Sequence, residues 1–548
     1  MKTFIRSLLI IPEIIIFISF NVKAQEFVWA HNVNGGDIFN SGIAIDKKGN
    51  SYITGTLRGD SFFGTIQVFN HGDQDIYLAK YDSTGNCLWA KSPGGISADG
   101  GDGITVDVNG FIYITGYFFS EAVFDTIHIS PHSTGFNMFL AKYDPLGNCL
   151  WVSQAVSGNN IRGLAVTTDA ERNSYVTGRF MDTTILGSTQ LISYGGPDIF
   201  IAKYNPDGIC LWAKHAGGNA ISYEESGQAI CHDANDNIYI TGIFWGTAKF
   251  DTVQLVSAGD WDIFVAKYDS NGNLIWANRA GGSYHDMGTG LSVDSSENCY
   301  VTGAFFGPTD FGTNHLTGFS GYDIFLAKYD PNGNCLWAKQ AGGSGYDYGY
   351  AVSTDPSGNS YVTGNYQDTS TFCTIQLIAS SYQSPFIAKY DTYGKCKWVK
   401  QVIGGGIGFG ISVDANDNIY TSGEFGGTAM FDTIQLSGGI VFIAKLANYT
   451  TDIKTETNLT SPVYLLVQNY PNPFNPTTTI NYSIPKEGNI KLMVFNVIGS
   501  KVVTIVDEHK AAGNYSVIFN AADLPSGVYF YKLVAEQFSL VKKMMLIK

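Results

Sequence analysis

The stretch DIFLAKYDPNGNCLWAKQAGG, Asp323 to Gly343, holds two apolar runs joined by a turn and closed by a glycine pair. In the turn, Asp330-Pro331-Asn332-Gly333-Asn334, proline presets one φ and glycine accepts a positive one, so the two runs pair as an antiparallel hairpin. Both runs are apolar on both faces, as expected of strands sandwiched between neighbouring sheets. Near-copies begin at Asp75, Asp198 and Asp262, with looser ones at Asn137 and Phe386, a period of about 60 residues. Such a period means stacked or ring-closed units rather than one continuous core.

A second phrase lies between the copies: an apolar strand ending in Asp, a polar turn, then Tyr-x-Thr-Gly, as in GLSVDSSENCYVTGAFFG, Gly290 to Gly307. Its tyrosines are Tyr52, Tyr113, Tyr175, Tyr239, Tyr300, Tyr361 and Tyr420. The tryptophans of the first phrase are Trp29, Trp89, Trp151, Trp212, Trp276, Trp337 and Trp398. Both ladders predict seven units, each with four strand-like runs, and four-stranded sheets arranged radially are the blades of a β-propeller. The array begins inside a unit, at the fourth-strand segment Phe27 to His31, and ends on the third-strand segment Phe442 to Leu446, so the first segment is expected to complete the last unit and close the ring.

Composition agrees. A chain of 548 residues is too long for one core, while 63 glycines, 14% aromatics and only 15% charged residues suit short strands, tight turns and aromatic-filled interfaces. Lys2 and Arg6 precede an apolar run from Leu8 to Phe20, and Val22-Lys23-Ala24 is a small-residue cleavage site, so residues 1–24 read as an export signal. The run falls short of the roughly 20 residues that a membrane anchor needs. The formal charge of −15 concentrates in the array, because leader and tail are both net positive. An acidic array without a basic stripe excludes nucleic acid and anionic membranes as natural partners. Of the eight cysteines, Cys87, Cys149, Cys210, Cys335 and Cys396 share one repeat slot. In a ring that slot recurs too far apart for disulfides, so these read as small buried hydrophobes; Cys231, Cys299 and Cys373 stay open.

Through its Asp, Gly-Asn, Tyr-x-Thr-Gly, Ala-Lys-Tyr-Asp and Gly-Gly landmarks, the unit resembles the SBBP family, the seven-bladed β-propeller repeat of exported bacterial proteins. The resemblance covers residues 25–447 and departs from the family between the second and third strands, where Phe-x-Thr-x-Gln-Leu (Phe250 to Leu255, Phe431 to Leu436) stands instead of the more usual Ser-x-x-Phe-Pro. Residues 448–463 are polar, Thr-rich and unpatterned, a linker. From 464 to 548, NYPNPFNPTT, VFNVIGSKV, LPSGVYFYKL and the terminal KKMMLIK closely resemble the type A C-terminal sorting domain of the type IX secretion system. That resemblance implies recognition by the type IX machinery, passage through periplasm and outer membrane, and display on the surface or release. The alternating runs of this tail read as a small immunoglobulin-like β-sandwich of about seven strands. The expected fold is therefore all-β: a seven-bladed β-propeller of four-stranded blades followed by that sandwich.

Chemistry is harder to find. The histidines share no repeat slot and form no zinc-ligand pair, and no nucleophile elbow or P-loop occurs, so no catalytic residue, metal or cofactor is assigned. Asp233 to Asn237 and Asp414 to Asn418 imitate half a calcium loop, but without the turn glycine and distal Glu they read as hairpin turns. In a four-stranded blade the loops after the second and fourth strands emerge on one face, and there the copies differ most. This yields the ligand-binding candidates Tyr223, Glu224, Trp245, Tyr284, His285, Asp286, Tyr346 and Asp347, since aromatics beside carboxylates suit carbohydrate or peptide. The competing role is scaffold, with phenylalanines such as Phe118, Phe244 and Phe305 packing between blades and the Asp residues tying loops; Trp245, Glu224 and His285 repeat least. The reading is a monomeric, non-enzymatic propeller binding extracellular glycan or protein. The alternative is a polysaccharide lyase or glycosidase, which needs paired carboxylates within about 10 Å at the ring mouth. A sensor or assembly module is a third.

Overall fold

The computed structural model describes residues 24–132, 134–218, 225–449, 465–466, 469, 472–535 and 538–548. Residues 1–23 of the expected leader and most of the expected linker lie outside them, as do candidates Tyr223 and Glu224. Every regular element is a β-strand, paired antiparallel throughout the named sheets. The chain divides at Thr450/Thr451 into two compact units. No described helix is long and apolar enough to cross a membrane.

In the larger unit one pattern repeats. In the fifth copy Met287–Val293, Cys299–Phe306, Tyr322–Tyr329 and Cys335–Gly343 pair in that order. The sixth runs Tyr348–Thr354, Ser360–Tyr366, Ser384–Tyr390 and Cys396–Gln401. In the last copy Ile403–Val413, Ile419–Phe431 and Val441–Tyr449 are followed by the amino-terminal strand, whose Ala30 pairs with Ala444. The first strands of the copies share one opening, lined by Ile43, Ile104, Ala165, Ala229, Leu291, Val352 and Ile411.

The repeated residues build contacts within each copy and between copies. Asp294 closes its turn by accepting the N–H groups of Ser296 and Asn298, and its Oδ2 lies 3.1 Å from the Tyr300 hydroxyl. Lys328 Nζ stands 3.5 Å from that carboxylate and 4.8 Å above the Tyr300 ring. The same lysine-over-tyrosine contact occurs at Lys80, Lys142, Lys203, Lys267, Lys389 and Lys445. Trp276 reaches the next copy: its indole N–H donates to the Pro331 carbonyl (3.0 Å), and Gly333, at φ +87°, lies on its ring. A Cβ at Gly333 would come 2.8 Å from the indole, which is why glycine serves both the turn and the contact. Trp89, Trp151, Trp212 and Trp337 donate in the same way to Pro145, Pro206, Ser270 and Thr392.

The segment that departs from the family pattern forms a short hairpin that in the fifth and sixth copies pairs with the end of the preceding copy's fourth strand: Phe311 with Ala280, Phe372 with Ala341. In the fourth copy the second and third strands run on into it, Phe250 pairing with Val253 and also with Ala216. One expectation changes. The slot cysteines are half-buried rather than buried, since Cys87, Cys149, Cys210, Cys335 and Cys396 sit on outermost strands, each sulfur 3.5–3.8 Å from the carbonyl oxygen two residues on.

The smaller unit holds two sheets. Leu465–Leu466, Thr477–Ile484 and Gly513–Asn520 form one; Lys501–Lys510, Gly488–Phe495, Gly527–Ala535 and Phe538–Leu546 form the other. Ile480, Tyr482, Leu492 and Tyr531 share its core. Phe474, buried in that core, exchanges backbone hydrogen bonds with Met545 and Ile547 (2.9 and 3.0 Å), and Asn469 N–H donates to the Tyr531 hydroxyl (2.7 Å). Thus the Asn-Pro-rich motif is tied to the final strand.

Candidate functional site

The loops after the second and fourth strands meet, and carboxyl groups fasten them. Asp286 is fully buried and accepts from Gly282 N (2.7 Å), Phe306 N (3.2 Å) and the Thr309 hydroxyl (3.0 Å). Asp347 is equally buried and holds Gly343 N, Gln367 N and the Ser370 hydroxyl (2.8–2.9 Å). Each has an acidic neighbour beneath the glycine pair. A Cβ at Gly342 would fall 2.1 Å from Asp323 Oδ1 and 3.0 Å from Asp347 Oδ2; one at Gly217 would strike both Asp198 and Glu225. The glycines make room for two carboxyls. Burial pushes these acids up, Asp286 and Asp323 to about 7, Asp347 and Asp262 to about 6, and Glu225 to about 8, with the neighbouring carboxylate adding to the rise for all but Asp262. In Asp347 that neighbour is Asp368.

The paired carboxylates required by a glycosidase are therefore present as Asp75/Asp99, Asp198/Glu225, Asp262/Asp286 and Asp323/Asp347. All eight are at most 1% exposed, and the pairs recur at the same two slots. Each accepts at least one backbone N–H of the adjoining loops. The calcium-like turns are likewise occupied: Asp233 and Asp414 spend their oxygens on Asn235, Asn237, Asn416 and Asn418.

The aromatic candidates lie on the open side of these ties. Tyr284, 48% exposed, packs edge-on against Phe306 (5.1 Å), and Phe306 against Tyr322 (5.6 Å). Tyr322 meets both Tyr346, also 48% exposed, and Tyr348 (6.0 and 5.3 Å). Tyr348 stacks on Tyr350 (5.9 Å, 19°), which leads to Phe409 (5.1 Å) at the shared opening. Seven rings, on the fifth, sixth and seventh copies, the loop between the fifth and sixth and the loop that precedes the fifth, thus form a continuous strip from loop face to opening.

A second locus is separate. Trp245 lines a cleft of about 470 Å³ with Tyr194, Gly217, Gly218, Thr247 and Lys249. Tyr194 stacks on His215 (5.0 Å, 23°). On the neighbouring strand Trp261, paired in register with Trp245, lies 4.8 Å from His285, whose Nε2 is 3.9 Å from Asp260. The structure thus places Tyr284 and Tyr346 on one strip, Trp245 and His285 around the Trp245/Trp261 pair, and Asp286 and Asp347 in the scaffold. Phe118, Phe244 and Phe305 are fully buried. Sequence reasoning missed Tyr194, Trp261, Tyr322, Tyr350 and Phe409. For Tyr350 and Phe409 a signal existed: they break a first-strand slot that elsewhere holds Asp102, Leu164, Gln228 and Thr289.

Comparison with known proteins bears on both units. An uncharacterized WD repeat-containing protein of Acanthamoeba polyphaga mimivirus is 25% identical over 446 residues, covering 66% of this chain and 32% of its own length. The chain therefore spans about a third of that relative. Among solved structures, a protein of unknown function from Bacteroides caccae aligns over 55% of this chain and 82% of its own (9% identity, TM-score 0.31). A puromycin hydrolase aligns over 81% and 58% (9% identity, TM-score 0.39). PorZ, a surface component of the type IX secretion system of Porphyromonas gingivalis, aligns over 95% and 100% (10% identity, TM-score 0.17). Family models match a beta-propeller repeat at residues 336–365 and a secretion system C-terminal sorting domain at residues 468–548. The chain carries both modules, and its sorting domain marks it for export through the type IX system to the cell surface or beyond.

Proposed function

We propose that the larger unit is a closed seven-bladed β-propeller that, once exported, acts as a monomeric, non-enzymatic binding module for an extracellular glycan, with an immunoglobulin-like sorting domain as its address. Closure is supported by the pairing of the amino-terminal strand with Val441–Tyr449 and by seven first strands around one opening. The observation that carries the ligand class is the aromatic strip from Tyr284 to Phe409, with neighbouring centroids 5.1–6.0 Å apart. Sugar rings stack their C–H faces on such surfaces while hydroxyls bond the polar rim. The burial of the four carboxyl pairs described above supports binding over hydrolysis.

The test is a glycan array and calorimetry on the secreted protein and on Tyr284→Ala/Tyr346→Ala. The double variant should lose at least tenfold in affinity with unchanged thermal unfolding. Full binding by the variant, or no binding to any glycan by the parent, overturns the reading.

A further inference from the structure

The tip of the hairpin inserted after the second strand rests against the first residue of a fourth strand. A Cβ placed on tip residue Gly64, Gly187 or Gly312 would stand 3.6, 2.8 or 3.7 Å from the Cβ of Cys87, Cys210 or Cys335. Where the tip is aspartate, its carboxylate takes the N–H of the residue below: Asp125 from Cys149 (2.7 Å), Asp432 from Phe27 (2.9 Å). These tips have φ between 54° and 63°. In the sixth copy the tip is Cys373, at φ +55°, and the residue below is Cys396. Both the side chain and the backbone N–H of Cys396 face the Cys373 sulfur.

We propose that Cys373 and Cys396 close a disulfide during export, locking the inserted hairpin of the sixth copy onto its outermost strand. Two of the three Cβ separations seen in the sister copies, 3.6 and 3.7 Å, fall within the roughly 3.5–4.5 Å that a disulfide spans. Cysteine gains nothing at a positive-φ tip by itself: glycine fits the backbone better, and aspartate accepts the N–H better. A partner sulfur at contact distance supplies the reason for it. Export carries the chain from a reducing compartment into an oxidising one.

The chemistry is accessible. Cys373 is exposed, and the hydrogen-bonding contact with Cys396 lowers its pKa, favouring the thiolate. That thiolate attacks one sulfur of an oxidant disulfide, carried by a dithiol–disulfide oxidoreductase, and expels a thiolate. Cys396, losing its own proton, then attacks the Cys373 sulfur of the mixed disulfide and expels the second thiolate. The protein gives up two protons and two electrons, and the oxidant leaves as a dithiol. Cys87, Cys149, Cys210 and Cys335 face glycine or aspartate at the same place and stay thiols.

The experiment alkylates the full-length protein, secreted by a type IX host and quenched in acid, under denaturing conditions with and without prior reduction, followed by peptide mapping. Six alkylated cysteines before reduction, eight after, and one cross-linked peptide joining Cys373 to Cys396 are expected. Eight alkylated cysteines before reduction, or Cys396 joined elsewhere, overturn the proposal. Reductant should lower the parent's melting temperature by several degrees and leave Cys373→Gly, which restores the sister residue, unmoved; equal shifts in both would also refute it.

Discussion

Replacing Asp286 by Asn tests what the buried acid pairs do to stability. Asp286 carries a carboxyl pushed up to about 7 by burial, against an ordinary value near 4, and Asp262 beside it is pushed up to about 6. For a carboxyl whose folded value is raised, the folded state holds a proton that the unfolded chain has released. Its contribution is thus complete below about pH 4 and is lost as pH climbs through about 7. Within that window one such group tilts stability by up to about 1.4 kcal/mol per pH unit, or about 4 kcal/mol in all as an upper bound. Asp99, Glu225 and Asp323 act in the same direction, with values of about 7, 8 and 7. Two groups oppose them: burial lowers His31 and His232, whose neutral forms gain stability as pH rises. The turn carboxylates do not compete, because Asp82 (held at about 2), Asp144 and Asp330 lose their contribution only in acid.

The parent protein should therefore unfold at lower urea as pH is raised from 5 to 8. An amide at 286 mimics the neutral acid: it can keep an acceptor for the loop donors and offer N–H to Asp262 Oδ1, which finds no donor among the described residues. Asp286→Asn should flatten the profile, gaining about 2–3 kcal/mol on the parent between pH 5 and pH 8. The assay is equilibrium unfolding followed by tryptophan fluorescence across that range. A parent whose stability rises with pH, or a variant whose profile runs parallel to it, refutes the reasoning.

Two further outcomes follow from the packing. Tyr300→Phe removes a buried hydroxyl lying 2.8 Å from the Gly358 carbonyl and 3.1 Å from Asp294, and should cost about 1–2 kcal/mol in unfolding without touching glycan binding. Phe474→Ala empties the core of the smaller unit, costing about 3–5 kcal/mol there; secretion, followed by surface immunoblotting, should fall while the melting of the larger unit stays constant.

The repeat was legible because each of its residues performs the same task in every copy. Tyr300, Lys328 and Trp276 make contacts between a strand and the adjacent turn or the next copy, so their spacing survives as a period in the chain. The inserted hairpin was not legible as a bridge, since its partner strand belongs to the preceding copy and a stretch such as Phe-x-Thr-x-Gln-Leu carries no mark of which sheet it will join. Asp286 and Asp347 were drawn in as ligand candidates because they stand beside aromatics at a variable loop. Their recurrence, with Asp99 and Glu225 in the same slot, is the trace of a loop tie.

The aromatic strip escaped for a related reason: its members are distant in sequence and occupy slots of different kinds. Tyr322 begins a third strand, Tyr348 and Tyr350 belong to a first strand, Phe306 ends a second, and Phe409 lies a copy away. Only the fold brings them to one line. What unites them is departure from the period. The slot of Tyr350 and Phe409 holds Asp102, Leu164, Gln228 and Thr289 in other copies, and Asp102 there pairs with Arg162 at 2.6 Å. One slot thus presents the opening with an ion pair on one side and rings on the other. A residue needed for closure would recur, whereas this slot is free to vary because it faces the opening instead of the next sheet. From the aromatics placed there by the sixth and seventh copies, the rings continue outward to Tyr346, in the loop before the sixth copy, and to Tyr284, in the loop before the fifth. That continuity, from outer loop to inner strand across three copies, is the ground on which the proposed glycan surface rests.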